Sequence, residues 1–291
     1  MKIFKKKEKT IMWKQKIGMS IANQYPVSTG EAVRILAKIG FDAISPVWSD
    51  QVDLDPVIET AKSCGLELQS LHAPFHWVNR MWDPDETVST PAKEELLRSL
   101  EDCHRWGIPV LVVHAWIGFG DEVGDLPTGL RNYGELIRKA KQYGIRIAFE
   151  NTEGLSYLEA LLEYFKDDST VGFCWDSGHE MCYNQSRDLL AKYGDRLYMT
   201  HLNDNLGVSR FDGRIYWTDD LHLLPYDGVA DWDEIAKRLK KSAKLDILNF
   251  ELKINSIPER HENDAYTQMG LEAYFTEAYK RACRVAYRVV N

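Results

Sequence analysis

The 291-residue chain reads as an α/β protein, a closed (β/α)₈ TIM barrel in a single domain. Three observations predict it. Eight short, near-continuously apolar runs alternate with helix-like stretches at short, regular intervals, and such runs suit parallel strands covered on both faces. Eight of these units in roughly 250 residues suit a closed barrel better than an open doubly wound sheet. No linker or low-complexity segment divides them, and no Gly-x-Gly-x-x-Gly or phosphate-loop lysine motif supports a nucleotide-binding sheet.

In order, residues 1–14 read as a Lys-rich solvated tail and residues 15–291 as the barrel. Ile17 to Ala22 is the first strand. Ser28-Thr-Gly-Glu31 is a capping-box pattern that opens a helix stopped by Gly40. Phe41 to Ser45 is the second strand, and Leu54 to Cys64 a helix ended by Gly65. Leu66 to Leu71 is the third strand and runs directly into His72. Thr90-Pro91 predicts a helix start with proline at its first position, extending to Trp106. Pro109 to Val113 is the fourth strand, ending in His114. A glycine-rich loop precedes a helix expected from Gly129 to Tyr143. Ile145 to Phe149 is the fifth strand, ending in Glu150, and Leu155 to Phe165 the next helix. Val171 to Trp175 is the sixth strand; Ser177 and Gly178 predict a sharp turn bringing Asp176 and His179 to its end. Arg187 to Tyr193 is helical, and Leu197 to Thr200 is the seventh strand, ending in His201. The long connection that follows carries Asp212-Gly213, a hairpin turn signal. Asp231 opens a helix to Lys241, Leu245 to Phe250 is the eighth strand, ending in Glu251, and one helix from Asp264 to Val290 closes the chain.

The net charge of −8 offers no global basic field to nucleic acid or an anionic membrane. No run of about 18 apolar residues is present to span a bilayer, and Lys14 and Lys16 interrupt what would be the apolar core of a signal peptide. Five cysteines at irregular spacing, without Cys-x-x-Cys, predict free thiols in a reducing compartment, hence a cytoplasmic protein.

Barrels of this kind gather their chemistry at the carboxyl ends of the strands. There the sequence puts His72, His114, Glu150, Asp176 with His179, His201 and Glu251, and the loop after strand seven adds Asp220 and His222. Each has a bland reading: Asp176 caps a turn, Glu150 caps a helix, His114 fills a core gap, and Glu251 pairs with Lys253. Five of the eight histidines nevertheless fall in this set. Burying so many titratable groups together is costly unless they share a metal or a proton. His104 and His261 read as structural or solvated. Trp77, Trp82 and Trp116 lie in loops over the same end, where rings either pack or wall a pocket.

With those residues in order, the chain resembles the xylose isomerase-like barrel superfamily, in its sugar phosphate isomerase/epimerase branch. The matching segments are Ser70-Leu-His-Ala-Pro74, Val112-Val-His114, Phe149-Glu-Asn151, Asp176-Ser-Gly-His179, His201-Leu-Asn-Asp-Asn205, Asp220-Leu-His222 with Asp231-Trp232, and Phe250-Glu251. The resemblance implies one divalent ion on Glu150, Asp176, His201 and Glu251. Three carboxylates and one imidazole suit Mn²⁺ first, with Mg²⁺, Co²⁺ or Zn²⁺ as substitutes. It implies that Glu150 and Glu251 double as acid and base around an enediolate, and that His179 contacts a small sugar, with His72, His114 and Trp116 expected beside it. It also implies a dimer or tetramer.

The same superfamily contains endonuclease IV-type enzymes, which cut DNA at abasic sites with three zinc ions. Their pattern extends to His72, His114, His179, Asp220 and His222, so that His179, Asp220 and His222 form a second metal set. That pattern has Asp-Thr-Cys-His where this chain has Asp176-Ser-Gly-His179, and Arg80, Arg210 and Arg214 are scattered among acids and aromatics. Both features favour sugar chemistry over nucleic acid. A non-catalytic sugar-binding barrel and a cyclitol dehydratase complete the alternatives.

Overall fold

A computed structural model of the chain describes residues 15–22, 25–119 and 124–291. The Lys-rich tail and part of the glycine-rich loop lie outside the described residues. In chain order the elements are β1 (Lys16–Ile21), α1 (Thr29–Ile39), β2 (Ala43–Pro46), α2 (Asp55–Ser63), β3 (Glu67–Leu68), β4 (Leu71–His72), α3 (Glu86–Trp106), β5 (Val110–His114), α4 (Leu126–Tyr143), β6 (Arg146–Glu150), α5 (Leu155–Tyr164), β7 (Val171–Asp176), α6 (Ser177–Cys182), α7 (Leu189–Tyr193), β8 (Leu197–His201), α8 (Trp232–Lys241), β9 (Ile247–Phe250), α9 (Asp264–Met269) and α10 (Leu271–Val290).

The strands are parallel and curl into two sheets, β3-β2-β1-β9 and β4-β5-β6-β7-β8. Two seams close them into one barrel. Val47 bridges His72, with the Trp48 amide donating to the His72 carbonyl at 2.9 Å. Leu202 bridges Phe250, with the Leu202 amide donating to Asn249 at 3.0 Å. β3 and β4 are two halves of the expected third strand. Its first half pairs with β2 and its second with β5, and the change of partner falls at Gln69 and Ser70.

Alternation along each strand sorts the side chains. Leu111, Val113, Ile147, Phe149 and Phe173 face the helices and join the main core. Val110, Val112, Ala148, Cys174 and Met199 form a separate cluster that fills the barrel interior. The next inward positions on those strands are His114, Glu150, Asp176 and His201. The apolar plug is therefore the floor under the polar residues, and the strand period itself aims them into the barrel mouth.

Five local expectations change. α3 starts at Glu86 under an Asp85 cap, whose carboxylate accepts from the Thr87 amide at 2.8 Å, so Pro91 lies inside the helix. α4 starts at Leu126 under Asp125, three residues before Gly129. Gly129 lies inside the helix, where Trp82 packs so closely that a Cβ would lie 1.9 Å from the indole. Ser177 and Gly178 begin the short helix α6 rather than a bare turn, with Asp176 as its cap. The arms around Asp212-Gly213 form no hairpin; the connection folds back through the antiparallel bridge Asp204–Leu223 and through hydrogen bonds such as that from the Ser209 amide to Asp219. The final helix is also broken, at Gly270, whose φ is 87°. All five cysteines are free. Among the described residues no helix is long and apolar enough to cross a membrane.

Candidate metal centre and substrate cavity

Glu150 is the hub. It is fully buried at the end of β6, and four imidazoles converge on it. Its Oε1 lies 3.0 Å from His201 Nδ1 and 3.3 Å from His179 Nδ1; its Oε2 lies 3.3 Å from His72 Nε2 and 3.2 Å from His114 Nε2. His201 Nδ1 is also 3.0 Å from Glu251 Oε2. Glu150, Asp176, His201 and Glu251 present ligand atoms within 4.8 Å of one another, and so do His179, Asp220 and His222.

Two observations test whether a divalent ion fits the first set. Contacts of 3.0 Å between neighbouring donors match adjacent ligands around one ion held by bonds of about 2.0–2.2 Å. Glu150 Oε2 and His201 Nε2 are also buried without a hydrogen-bond partner, an expensive state for groups that have no other use. The donor set fits a divalent ion with oxygen preference.

Backbone and neighbouring side chains hold these residues in place. Asp176 accepts from the His179 amide at 2.7 Å, which caps α6. Asn203 donates to both Asp176 oxygens, at 3.0 and 3.2 Å. Asn151 clamps the next strand from both sides, its Oδ1 accepting from the Asp176 amide and its Nδ2 donating to the Asp176 carbonyl. The long connection is organised by the buried Asp204, which accepts from the Tyr226 and Ala230 amides at 3.0 Å and the Trp232 indole at 2.9 Å. That scaffold carries Asp220 and His222. His222 adopts φ 49°, rare outside glycine, and is held by Nδ1 on the Glu251 carbonyl (3.1 Å) and Nε2 on Asp220 (2.7 Å).

Charge is distributed unevenly. Burial favours a neutral Glu150, but His201 and His114 outweigh it and hold the carboxyl well below the usual range. Burial likewise opposes ionisation of Asp220, and His222, Lys253 and His179 overcome it. Glu251 is also lowered, His201 again outweighing burial. Asp176 goes the other way: burial raises it to about 6 against the pull of His179 and His222. Burial would discharge His179 and His201, but carboxylates around the first, and Cys174 with Glu150 around the second, keep both well above 6.5. His114 is lowered by burial.

Above this floor opens a cavity of about 760 Å³. His72, His114, Glu150, His179, Asp220, His222 and Glu251 line it. Asp176 and His201 do not; they sit beneath. Trp116 is not part of the lining either. It is buried against Tyr157, rings stacked 4.2 Å apart, and packs so closely on Gly154 that a Cβ there would lie 2.1 Å away. Trp82 is likewise core, its indole donating to the Ala115 carbonyl at 2.7 Å. The aromatic wall comes instead from Phe75, Phe119, Tyr183 and Trp217, none singled out by position in the sequence. Lys253 also lines the cavity, its ammonium 3.7 Å from Asp220 rather than on Glu251. Strand alternation two residues past Glu251 was the signal for it. His104 stacks on Tyr143 at 4.1 Å and His261 pairs with Asp264, both outside the site.

The sequence profile of a family described as xylose isomerase-like TIM barrel matches residues 33–274. The uncharacterised protein y4fM of Sinorhizobium fredii is 34% identical over 167 residues, 55% of this chain and 47% of that protein. An uncharacterised protein of Mycobacterium leprae is 29% identical over 123 residues, 38% of this chain and 42% of that protein. The chain thus spans less than half the length of either relative. Solved structures of similar fold include the IolI protein with a bound zinc atom, at TM-score 0.74 and 19% identity, covering 94% of this chain and 99% of that one. A D-psicose 3-epimerase from Clostridium cellulolyticum H10, solved with D-tagatose, gives TM-score 0.69 and 16% identity over 94% and 99%. A 3-keto-D-glucoside 4-epimerase from E. coli gives 0.65 and 18% over 88% and 99%. At these identities the likeness is one of fold.

Proposed function

The chain belongs to the family of xylose isomerase-like TIM barrels, and on that premise we propose that it is a divalent-metal-dependent isomerase or epimerase acting on a monosaccharide or close polyol derivative. The observation that carries the reading is the convergence of Glu150, Asp176, His201 and Glu251 on one point at the base of a cavity. Two of the structures similar in fold are sugar epimerases, which supports the same chemistry.

Those four residues would hold the ion, with Mn²⁺ the first choice. Bound there, it would supply Lewis acidity to a carbonyl oxygen and its neighbouring hydroxyl, making the adjacent carbon-bound hydrogen acidic. The proton itself is the work of the two glutamates. They stand at the ends of β6 and β9, with β7 and β8 between them around the barrel wall. In the metal-free site both are held ionised by their histidine neighbours; with His201 neutral on the ion, the ion's own charge would take over that role, so either can accept a proton. One takes it from the substrate carbon; the other, protonated beforehand from water, returns one, and the first then releases its proton to water. Return to the opposite face gives the epimer; return to the adjacent carbon gives the isomer. His179, between Glu150 and Asp220, offers Nε2 to a substrate hydroxyl. The apolar wall excludes competing water.

DNA cleavage fits less well. Among the described residues lining the cavity, Lys253 alone is a lysine or arginine, whereas a phosphate backbone calls for several cations.

The test is proton NMR of the Mn²⁺-loaded protein with a panel of ketoses and keto-glycosides in D₂O. Deuterium should enter at a carbon next to the carbonyl, and chelation should stop it. Exchange that survives chelation, or none with any member of the panel, contradicts the proposal.

A further inference from the structure

We infer that Lys253 is the resident cation of the His179–Asp220–His222 cluster and restricts this site to a single divalent ion. The inference rests on the function proposed above, because it specifies how many ions that function uses.

The three cluster residues present ligand atoms within 4.8 Å, as a second ion would require. One oxygen of Asp220, however, is already crowded, while its Oδ1 has no hydrogen-bond partner. Asp220 Oδ2 lies 2.7 Å from His222 Nε2, 3.4 Å from His179 Nε2 and 3.7 Å from Lys253 Nζ. Lys253 is not there by chance of a floppy surface chain. Its amide donates to the His222 carbonyl at 3.0 Å, and its carbonyl accepts from Asn263 Nδ2 at 3.0 Å. Both sides of its backbone are therefore pinned to the rim, and the side chain, 40% exposed, ends beside Asp220.

The charge count makes the same point. The cavity floor carries the carboxylates of Glu150, Asp220 and Glu251 with Asp176 beneath. One dication on the four-residue set offsets two of the three charges of Glu150, Asp176 and Glu251. Asp220 lies outside that set, and Lys253 joins His179 and His222 around it. A second dication would compete with the ammonium for Oδ2 and be repelled by it at close range. The consequence is chemical. A single ion polarises a carbonyl and the hydroxyl beside it, whereas cutting a phosphodiester commonly relies on two ions clamping the attacking and leaving oxygens. Lys253 is thus a specificity-determining residue acting through Asp220.

Counting metal tests this without relying on turnover. The full chain is equilibrated with excess Zn²⁺, freed of unbound metal by gel filtration, and assayed for zinc per chain by mass spectrometry. The expected values are one ion for the wild type, two for Lys253→Met and for Lys253→Gln, and one for the charge-keeping Lys253→Arg. Adding His222→Ala to Lys253→Met should return the count to one. Two ions in the wild type, or one ion in both neutral variants with native circular dichroism, overturn the role of Lys253 and leave the proposed function standing. No ion in the wild type, or an ion that Asp176→Asn fails to remove, overturns the proposed function instead.

Discussion

Asp176 carries the sharpest conflict between burial and charge. It is wholly enclosed, and its carboxyl rises to about 6 because desolvation outweighs the pull of His179 and His222. For a carboxyl raised above its ordinary 3.8, the metal-free fold is favoured by the protonated form and loses that contribution as pH climbs from 3.8 to about 6. An ion needs the opposite state: Asp176 ionised and His201, itself raised, deprotonated. Calorimetric Mn²⁺ titration should therefore show affinity falling by about tenfold per pH unit where His201 alone releases a proton, and by about a hundredfold per unit below pH 6 where Asp176 adds a second. A pH-independent affinity would contradict the ligand set. Gly178 is the second residue whose reason is local. A Cβ there would lie 2.0 Å from Asn203 Oδ1 and 2.4 Å from Asn205 Nδ2, and Asn203 is what holds Asp176. Gly178→Ala should cost about 1–3 kcal/mol of stability by overpacking, read by urea unfolding. It should also weaken Mn²⁺ more than a distant variant of equal cost does. The charged and imidazole residues were legible because chemistry requires their types at strand ends. The aromatic wall was not: Trp116 and Phe119 stand in the same loop, and only three-dimensional packing on Tyr157 and Gly154 turns the first into core.

The elements deliver these residues through buried polar ties. Glu180 on α6 accepts from the Trp175 indole at 2.8 Å, the Leu189 amide at 3.1 Å and the Arg238 guanidinium at 2.7 Å. It thereby fixes the short helix bearing His179 to β7, α7 and α8. Glu180→Leu leaves the Trp175 indole and the Leu189 amide without a partner and Arg238 with Asp188 alone, so it should lower unfolding free energy by about 2–4 kcal/mol; a loss below about 1 kcal/mol would remove this tie from the account. Strand positions were readable from apolar runs because the barrel buries both faces of each strand. Helix starts were less so. Asp85 and Asp125 cap helices that the Pro91 and Gly129 signals put later; Gly129 leaves room for the Trp82 ring and does not mark a helix start. The division of the third strand depends on neighbours far away in the chain, at Ile44 and Leu111, which no local pattern encodes.

At the scale of the whole molecule, the site ties together β6, β7, β8 and the end of β9, which close one side of the barrel. An ion shared by all four would link the Leu202–Phe250 seam to the middle of the five-stranded sheet. Saturation at a hundredfold excess over Kd adds about 2.7 kcal/mol. Thermal unfolding should accordingly rise by roughly 5 °C with Mn²⁺ and return on chelation; an unchanged midpoint would deny that the ion bridges the strands. The closed architecture was plain from eight repeated units, and its closure through two narrow seams emerges only in three dimensions. The central claim is that Glu150 and Glu251 move the proton. It is tested most directly by the rate of deuterium exchange from D₂O into the carbon beside the substrate carbonyl, in Glu150→Gln and Glu251→Gln. Each variant should lose exchange by about 10²–10⁴-fold, and exchange at the wild-type rate in both would contradict the account.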